Sequence, residues 1–306
     1  MASSYLSLSE SDWQNKLNKI NKLEQSCVLC PRHCKVDREQ KQGICRAPKE
    51  LVVASTNLHF GEEPPITGSR GSGTIFVSFC NLRCVFCQNF PISQLGTGKN
   101  MTDQQLADAM LVLQDRGAHN INFVSPSHYS AAIMRSIYLA SKKGLTIPIV
   151  WNTNAYESVE TLHLFDSVVD IYLPDIKYSD NDQAKRLSMA PNYWNHARKA
   201  VAEMFRQVGH LELNQDGIAE RGLLIRHLVL PHDNSGTREV LRFIAKEISK
   251  YTNISLMSQY FPAHKALEIN DMKRAITEQE YSNAIEFVDE FGLENVFTQE
   301  SELRFC

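Results

Sequence analysis

Residues 75–89 have the sequence Ile-Phe-Val-Ser-Phe-Cys-Asn-Leu-Arg-Cys-Val-Phe-Cys-Gln-Asn. The run Ile75 to Phe79 is apolar and β-branched, which is typical of a buried strand. Cys80, Cys84 and Cys87 follow it directly. In parallel α/β proteins the loops after the carboxyl ends of the strands carry the chemistry. This stretch therefore predicts the first strand of a parallel sheet, with three thiols at its functional end.

The same pattern, a short apolar run followed by a stretch of helical periodicity, repeats six times from residue 75 onward. The predicted strands are Ile75 to Phe79, Ile121 to Val124, Ile147 to Trp151, Asp170 to Leu173, Leu223 to Leu230 and Asn253 to Met257. The predicted helices are Asp103 to Arg116, Ser130 to Lys143, Ser158 to Phe165, Tyr193 to Val208, Thr237 to Lys250 and Glu278 to Phe291. Such alternation predicts parallel strands with right-handed crossovers.

Six units are two fewer than a complete eight-fold barrel requires. The predicted fold is therefore α/β, a partial (β/α)6 TIM-type barrel with a small Cys-rich N-terminal segment, and a doubly wound open sheet is the alternative. Gly61 to Gly73 is rich in Gly, Pro and Ser and is predicted to be a linker. We accordingly expect a metal-binding segment with its linker over residues 1–73 and the barrel over 74–306.

The composition of the 306 residues is that of a globular protein, with 43% hydrophobic and 22% charged residues. The net charge of -3 gives no field that would attract nucleic acid or an anionic membrane surface, so neither is an expected partner. No secretory signal or membrane-spanning run is visible, which predicts a cytoplasmic protein. In a reducing compartment the eight cysteines indicate metal or redox chemistry rather than disulfides.

The spacing of Cys80, Cys84 and Cys87 favours an iron–sulfur cluster over three other interpretations. Three thiolates can hold three irons of a [4Fe-4S] cubane and leave the fourth iron open to a non-protein ligand. A structural zinc ion would need a fourth Cys or His close by. A redox pair of Cys84 and Cys87 would leave Cys80 without a role. Three unrelated core cysteines are the remaining possibility.

The C-x3-C-x2-C pattern, with Phe86 before its last cysteine, resembles the signature of the radical S-adenosylmethionine (SAM) superfamily. The tail Cys87-Gln88-Asn89 is similar to the branch of pyruvate formate-lyase activating enzyme. The resemblance implies a [4Fe-4S] cluster on the three cysteines, SAM with its adenine near Phe86, and reductive cleavage of SAM to a 5′-deoxyadenosyl radical. It also implies an electron donor such as flavodoxin or ferredoxin.

For the substrate, the resemblance to the activating enzymes suggests hydrogen abstraction from a glycine of a partner protein or peptide. Modification of a peptide side chain or of a small molecule is a second enzymatic interpretation. An iron–sulfur or zinc-binding interaction module without catalysis is a third, from another class of function.

Polar residues follow the later predicted strands, where the superfamily binds its cofactor. After the second strand the usual Gly-Gly-Glu-type motif is replaced by Ser125-Pro126-Ser127-His128, which departs from the family and is equally compatible with a turn and helix cap. The resemblance implies cofactor contacts after the second, third and sixth strands. It also implies catalytic charged residues after the fourth strand, where a surface ion pair is the alternative interpretation. These residues are Ser125, Ser127 and His128, Asn152 and Asn154, Gln259, and the charged pair Asp175 and Lys177.

Four further cysteines, Cys27, Cys30, Cys34 and Cys45, lie within nineteen residues near the N-terminus. Structural zinc fits four thiols at short spacing, an auxiliary [4Fe-4S] cluster fits as well, and unliganded thiols are the third possibility. His33 is able to replace one thiolate. This N-terminal cysteine segment, the front of the chain, is absent from the pattern of pyruvate formate-lyase activating enzyme. It is similar to a little-characterised branch of the relatives of that enzyme. The stretch His59-Phe-Gly-Glu-Glu-Pro-Pro65 is similar to the same branch.

Several conspicuous residues have simpler interpretations. Arg226 and His227 are adjacent in one predicted strand, so at most one of them faces the barrel interior, and His227 is as compatible with a core histidine as with a ligand. The pair Glu62 and Glu63 is either a lid over the cofactor or a solvated turn. Met257 is expected to be core packing. Cys306 is terminal.

Overall fold

The computed structural model describes residues 2–298. The N-terminal part contains helix α1 (Glu10–Gln25), strand β1 (Leu51–His59) and the single-turn helix α2 (Pro64–Thr67). Helix α1 begins at a capping box, in which the Ser9 side chain accepts a hydrogen bond from the Asp12 amide and the Asp12 side chain bonds the Ser9 amide. The terminal Cys306 lies outside the described residues.

The rest of the chain alternates strands with helices. In order it contains β2 (Ser72–Val77), α3 (Phe90–Ser93), β3 (Lys99–Met101), α4 (Asp103–Asp115), β4 (Ile121–Val124), α5 (Ser130–Ser141), β5 (Ile149–Thr153), α6 (Val159–Leu164), β6 (Ile171–Pro174), α7 (Asn181–Ser188), α8 (Tyr193–Val208), β7 (Glu212–Leu213), β8 (Ala219–Leu228), α9 (Thr237–Phe243), β9 (Asn253–Met257), α10 (Glu278–Phe291) and β10 (Val296–Thr298). Helix α9 continues as a π-helical turn over Ile244–Ile248. Single 3₁₀ turns occur at Ser4–Ser7, Ser127–Tyr129, Pro231–Asp233 and Ala266–Glu268.

The parallel strands lie side by side in chain order, β2-β4-β5-β6-β8-β9-β10. An unbroken order is that of a barrel wall, whereas a doubly wound sheet reverses its order near the middle. Strands β1 and β3 extend the β2 edge antiparallel, and within residues 2–298 no hydrogen bonds join β10 to them. The predicted partial TIM-type barrel is confirmed, with β10 as an additional parallel strand.

Side chains that point into the barrel form a small core of their own. It contains Val150, Ile171, Leu173 and Leu224 from the strands, together with Ile66 from α2. Strand β1 pairs His59 with Ser72, the first residue of β2, so the turn after β1 lies at the amino end of the parallel strands. Helix α2 therefore fills the barrel interior from the end opposite to the cysteine loop.

The larger core lies between the sheet and the outer helices, and it includes the N-terminal segment. Trp13, Leu17 and Leu29 are buried in the same cluster as barrel residues such as Phe123. The division at residue 73 stays a prediction, although residues 51–59 before it pair with the barrel sheet. Among the described residues, no helix has the length and apolar character needed to cross a membrane.

The differences from the predicted elements have local causes. The predicted linker Gly61 to Gly73 contains α2 and the first residues of β2, because Pro64 and Pro65 sit at the start of a helical turn, where proline is tolerated. Helix α7 escaped prediction because it is mostly polar and buries only Ala184, Leu187 and Ser188. Strands β3 and β10 have three residues each, too few for a period to be recognised.

Candidate active site

The loop that carries Cys80, Cys84 and Cys87 follows β2 and is held by backbone hydrogen bonds from three directions. The Arg83 and Val85 amides donate to the carbonyls of Ser188 and Leu187 at the end of α7. The Lys265 amide donates to the Val85 carbonyl, and the Phe79 amide donates to that of Ile92 in α3. The loop is thus fixed by elements far apart in sequence, which sets the direction of its three thiols.

Each of these thiols has a hydrogen-bonding neighbour. The Cys80 sulfur accepts from the Leu82 amide and from the Asn154 side-chain amide, both at 3.4 Å. The Ser188 hydroxyl donates to the Cys84 sulfur over 3.0 Å. The Cys87 sulfur lies 3.1 Å from the Ser93 hydroxyl. Ser93 and Ser188 were not identified from the sequence, because serine on a helix carries no signal of a thiol contact.

Burial makes the Cys80 and Cys84 thiols poor acids in the absence of a metal. It raises the pKa of Cys80 and raises that of Cys84 to about 12, although the positive charge of Lys177 opposes both shifts. A buried thiol gives up its proton readily only when a metal cation takes its place. Three buried or half-buried sulfurs from one loop, each with a hydrogen-bonding neighbour, fit the three-thiolate set of a cluster with one open iron.

All three cysteines line one cavity of about 600 Å³ at the carboxyl ends of the parallel strands. This size is within the range of small-molecule sites. Seven residues with a predicted role also line it, five of them predicted cofactor contacts and two predicted catalytic residues. They are Phe86, Ser125, Asn152, Asn154 and Gln259, and Asp175 and Lys177. Four residues with other or open interpretations line it too, namely Glu62, Glu63, Arg226 and Met257.

The predicted catalytic pair forms an ion pair in the cavity wall. Lys177 Nζ donates to Asp175 Oδ2 over 2.8 Å, and the other carboxylate oxygen is buried without a partner. Burial lowers the pKa of Lys177, but the charges of Asp175 and Cys84 outweigh this effect, so the pKa lies above its usual value. Lys177 is therefore a fixed cation beside the thiols, and Asp175 offers an oriented acceptor to a ligand.

The predicted cofactor contacts after β4 and β5 divide into two groups. Ser125 and Asn152 line the cavity. Ser125 has a positive φ of 56°, and the hydrogen bond from its backbone amide to the Asn152 carbonyl stabilises this conformation. Asn154 also lines the cavity, but its side-chain amide already bonds Cys80 and, over 2.8 Å, Asn81. Asn154 therefore positions the cysteine loop in addition to facing the cavity.

Ser127 and His128 do not line the cavity, which corrects their assignment as cofactor contacts. The Ser127 hydroxyl donates to Glu157 over 2.7 Å, and His128 Nε2 lies 2.8 Å from the Ser78 carbonyl. Both are fully buried, since the 3₁₀ turn Ser127–Tyr129 turns them behind the strand ends. Burial lowers the pKa of His128 to about 3, so the ring is neutral and donates through Nε2.

Glu157 was not identified from the sequence and lies at the centre of a buried hydrogen-bond network. Its Oε1 accepts from Ser127, from the Thr153 hydroxyl at 2.6 Å and from Trp151 Nε1 at 3.1 Å. Burial raises the pKa of its carboxyl group. The network fixes the end of β5 directly behind the cavity.

The aromatic and amide residues Phe86 and Gln259 line another part of the cavity wall. Phe86 is 6% exposed and packs edge-on against Tyr260, with ring centroids 5.7 Å apart. Gln259 follows β9 and donates to the sulfur of Met257, and its carbonyl accepts from Gln88. Met257 is mostly buried, as predicted for core packing, and also reaches the cavity.

Glu62 and Glu63 form the floor of the cavity, and neither proposed role, lid or solvated turn, is correct for them. Arg226 Nε donates to Glu63 over 2.8 Å, and Arg226 Nη2 also bonds Glu62. Asn122 donates to the other oxygen of Glu62 over 3.0 Å. The two carboxylates are buried because the turn after β1 enters the barrel at the amino end of the parallel strands. There it meets Arg226 of β8, which faces inward, whereas the adjacent His227 does not.

His227 faces away from the cavity and is a satisfied core histidine. Its Nδ1 lies 2.7 Å from the Ile176 carbonyl, so Nδ1 donates, and Nε2 accepts from the Thr237 hydroxyl at 3.0 Å. Burial lowers its pKa to about 4. The expectation that only one residue of this pair points inward is therefore confirmed, with Arg226 as that residue.

The four cysteines of the front form a separate group outside the cavity. Cys27, Cys30 and Cys45 are buried, Cys34 is half-buried, and His33 is exposed. No disulfide joins the cysteines of the described part of the chain. Among residues 2–298, no three Cys, His, Asp or Glu side chains are arranged to hold one metal ion.

Comparison with known families assigns this architecture. The family model described as "Radical SAM superfamily" matches residues 74–244, more than half of the chain. The chain belongs to the radical SAM superfamily. Membership implies that a [4Fe-4S] cluster and SAM are its cofactors and supports its being an enzyme. The match spans β2 to the start of the π-helical turn, so it includes the cysteine loop and the strand ends up to β8.

Two curated relatives from Methanocaldococcus jannaschii match most of this radical SAM chain. The uncharacterized protein MJ0674 is 32% identical over 292 residues, which is 92% of this chain and 80% of the relative. The uncharacterized protein MJ0808 is 21% identical over 270 residues, 82% of this chain and 75% of the relative.

A solved structure supports the fold. HydG, a maturase of the [FeFe]-hydrogenase, superposes with a TM-score of 0.50 at 12% identity, covering 99% of this chain and 69% of its own. At this identity the likeness concerns the fold alone.

Proposed function

We propose that this chain is a radical SAM enzyme of the activating-enzyme type, which abstracts hydrogen from a peptide or protein partner. The observation that carries the proposal is the shared cavity. Three thiols on one loop face the same space as the Asp175–Lys177 pair and the polar strand ends. Cys80, Cys84 and Cys87 would hold the cluster, and the reduced cluster would supply the electron that cleaves SAM to a 5′-deoxyadenosyl radical.

The residues of the chain would bind and orient the reactants. Ser125, Asn152 and the unpartnered Asp175 Oδ1 are acceptors or donors suited to the amino, carboxylate and ribose groups of SAM. The Phe86 ring offers an apolar face to the adenine. Lys177, fixed by Asp175, keeps a positive charge next to the buried thiols. The Ser125 amide bonds the Asn152 carbonyl, Lys177 bonds Asp175, and Phe86 packs against Tyr260, so little reorganisation of these groups is needed on binding.

Access for a peptide is supported by the open side of the barrel. Within the described residues, β10 lacks a hydrogen-bonded partner on its outer edge, and its residues Phe297 and Thr298 line the cavity together with His59. A peptide loop can enter between these edges and present one C–H bond to the cavity. This supports a macromolecular substrate over a small metabolite that needs full enclosure.

A basic surface beside the cysteine loop supports an acidic electron donor such as flavodoxin or ferredoxin. Arg83 lies in the loop, and its pKa is lowered by burial and by the nearby charges of Arg46 and Arg32. Arg46 and Lys265 are exposed. Because electrostatic steering raises association rates, Arg46→Glu should slow reduction by flavodoxin, most strongly at low salt.

The proposal is tested by anaerobic reconstitution with iron and sulfide, reduction with dithionite, and chromatography for 5′-deoxyadenosine. Wild type should form it, Cys84→Ala should not, and Val112→Ala, at an exposed position of α4, should match wild type. A reconstituted wild type that carries a [4Fe-4S] spectrum and yet forms none would contradict the enzymatic proposal and favour a binding module.

The substrate is tested with candidate partners deuterated at glycine. Transfer of deuterium into 5′-deoxyadenosine would identify a glycine α-carbon as the donor. Transfer only from other positions of a peptide, or only from a small molecule, would leave the radical chemistry intact and reject the activating-enzyme assignment.

A further inference from the structure

Arg32 belongs to the front of the chain, but its side chain bonds the loop that carries Cys80, Cys84 and Cys87. Its Nε donates to the Asn81 carbonyl over 2.9 Å, across 49 positions of the chain. Asn81 directly follows Cys80 and is only 1% exposed. A buried carbonyl that loses its donor costs free energy. The cysteine loop is therefore held from the front of the chain as well as from the barrel.

The same guanidinium reaches the end of α7. Arg32 Nη1 donates to the carbonyl of Met189, the residue that follows this helix. The carbonyls of the two residues before Met189 accept from backbone amides of the cysteine loop. The carbonyls at the end of a helix have no partners within the helix, so donors from outside must satisfy them. Here the loop supplies two of these donors, and Arg32 supplies a third.

The two segments joined by this guanidinium each contact a thiol of the loop. On one side, the Asn154 side-chain amide donates to the Asn81 side-chain oxygen over 2.8 Å and lies 3.4 Å from the Cys80 sulfur. On the other side, the Ser188 hydroxyl at the end of α7 donates to the Cys84 sulfur over 3.0 Å. The guanidinium thus ties together the groups that orient two of the three sulfurs.

A third contact, to Tyr156, fixes the orientation of the guanidinium. Arg32 Cζ lies 5.2 Å from the centroid of the Tyr156 ring, within the range of a cation–π interaction. The Tyr156 carbonyl accepts from the Asn81 side chain over 2.8 Å, and its amide donates to Asn154 Oδ1 over 3.0 Å. A planar cation that stacks on a ring while donating in two directions is a property of arginine, which lysine does not share.

We propose that Arg32 is a positioning residue for the [4Fe-4S] cluster of the cavity. It acts on Cys80 through Asn81 and Asn154, and on Cys84 through the end of α7. The inference rests on the proposed function, in which the three cysteines of the loop hold the cluster. Arg32 lies outside residues 74–244, which the family model matches, so the support comes from the part of the chain that precedes the barrel.

The first test measures the reduction potential by anaerobic spectroelectrochemistry, on reconstituted samples of equal iron content. Arg32→Ala should lower the potential, because a displaced Asn154 amide stabilises the reduced cluster less well. Arg32→Lys keeps the charge but not the planar fork, so it should lower the potential by a similar amount. Lys41→Ala, at an exposed position of the same segment, should match wild type. A wild-type potential in Arg32→Lys would assign the effect to charge alone and overturn the positioning role.

A mutant cycle tests the route from the guanidinium to the sulfurs. Asn154→Ala with Ser188→Ala removes both side-chain donors through which Arg32 acts. In this background Arg32→Ala should add little further shift of the potential, because the groups that it positions are gone. The same shift as in wild type would overturn the route, since Arg32 would then act on the cluster independently of both donors.

Hydrogen exchange of the full chain, measured by mass spectrometry before reconstitution, tests the positioning without a cluster. Arg32→Ala and Arg32→Lys should speed exchange of the Arg83 and Val85 amides, which bond the end of α7, but not of the amides in α4. Unchanged exchange in the loop, or an equal increase in α4, would overturn the inference. Because 5′-deoxyadenosine formation is measured separately, failure of this inference and failure of the proposed function give different results.

Discussion

The side-chain amide of Asn154 lies 3.4 Å from the sulfur of Cys80. The contact joins the end of β5 to the cysteine loop, 74 positions apart in the chain. A hydrogen bond to a cluster sulfur stabilises the more negative, reduced form, so such donors tune the reduction potential. If Cys80 holds the cluster as proposed, Asn154 would connect the barrel wall to the electronic properties of that cluster.

Replacing Asn154 by alanine should lower the reduction potential of the reconstituted cluster. A lost hydrogen bond of about 1 kcal/mol corresponds to several tens of mV for a one-electron couple. The shift is measured by anaerobic spectroelectrochemistry at fixed pH. Asn57→Ala, an exposed asparagine on β1, is the matched control. An unchanged potential with full iron content would show that Asn154 acts only on the loop.

The Asp175–Lys177 pair should behave as a unit when SAM binds. Lys177→Met leaves a carboxylate without its cation in a half-buried site, so we expect weaker binding of SAM and a loss of stability of about 1–3 kcal/mol. Adding Asp175→Asn should restore part of the stability but not the binding. Thermal unfolding and equilibrium dialysis with SAM separate the two effects. Additive losses in the double variant would contradict the coupling.

Much of this site was predictable because its signals are local. The cysteine spacing, the strand before it and the alternation after it are properties of contiguous residues, and parallel strands bring their carboxyl ends together. The floor was not predictable, because Glu63 and Arg226 are 163 positions apart and meet only through the barrel. Ser127 and His128 were misassigned because the turn after β4 reverses their direction, which no sequence period reveals.

Arg226 should be required for stability because it compensates two buried carboxylates. Arg226→Ala leaves Glu62 and Glu63 side by side at 7% side-chain exposure, and removal of one partner from such a cluster costs about 3–5 kcal/mol. Adding Glu62→Gln and Glu63→Gln should recover most of this loss. The measurement is the thermal midpoint of anaerobically prepared protein. A triple variant no more stable than Arg226→Ala would refute charge compensation as the cause.

The buried His128 should make folding sensitive to acid. Its pKa is lowered from 6.5 to about 3 by burial, so the unfolded chain binds a proton that the folded chain does not. A depressed folded-state pKa contributes stability above pH 6.5, and this contribution declines as the pH falls toward 3, by at most about 1.4 kcal/mol per pH unit. His128→Gln keeps a donor for the Ser78 carbonyl and removes the titration. Denaturant unfolding at pH 7.5 and pH 5 should therefore show a smaller acid loss for this variant than for wild type. Equal losses would assign the acid sensitivity to other groups, with His227, whose pKa is lowered to about 4, as the next to replace.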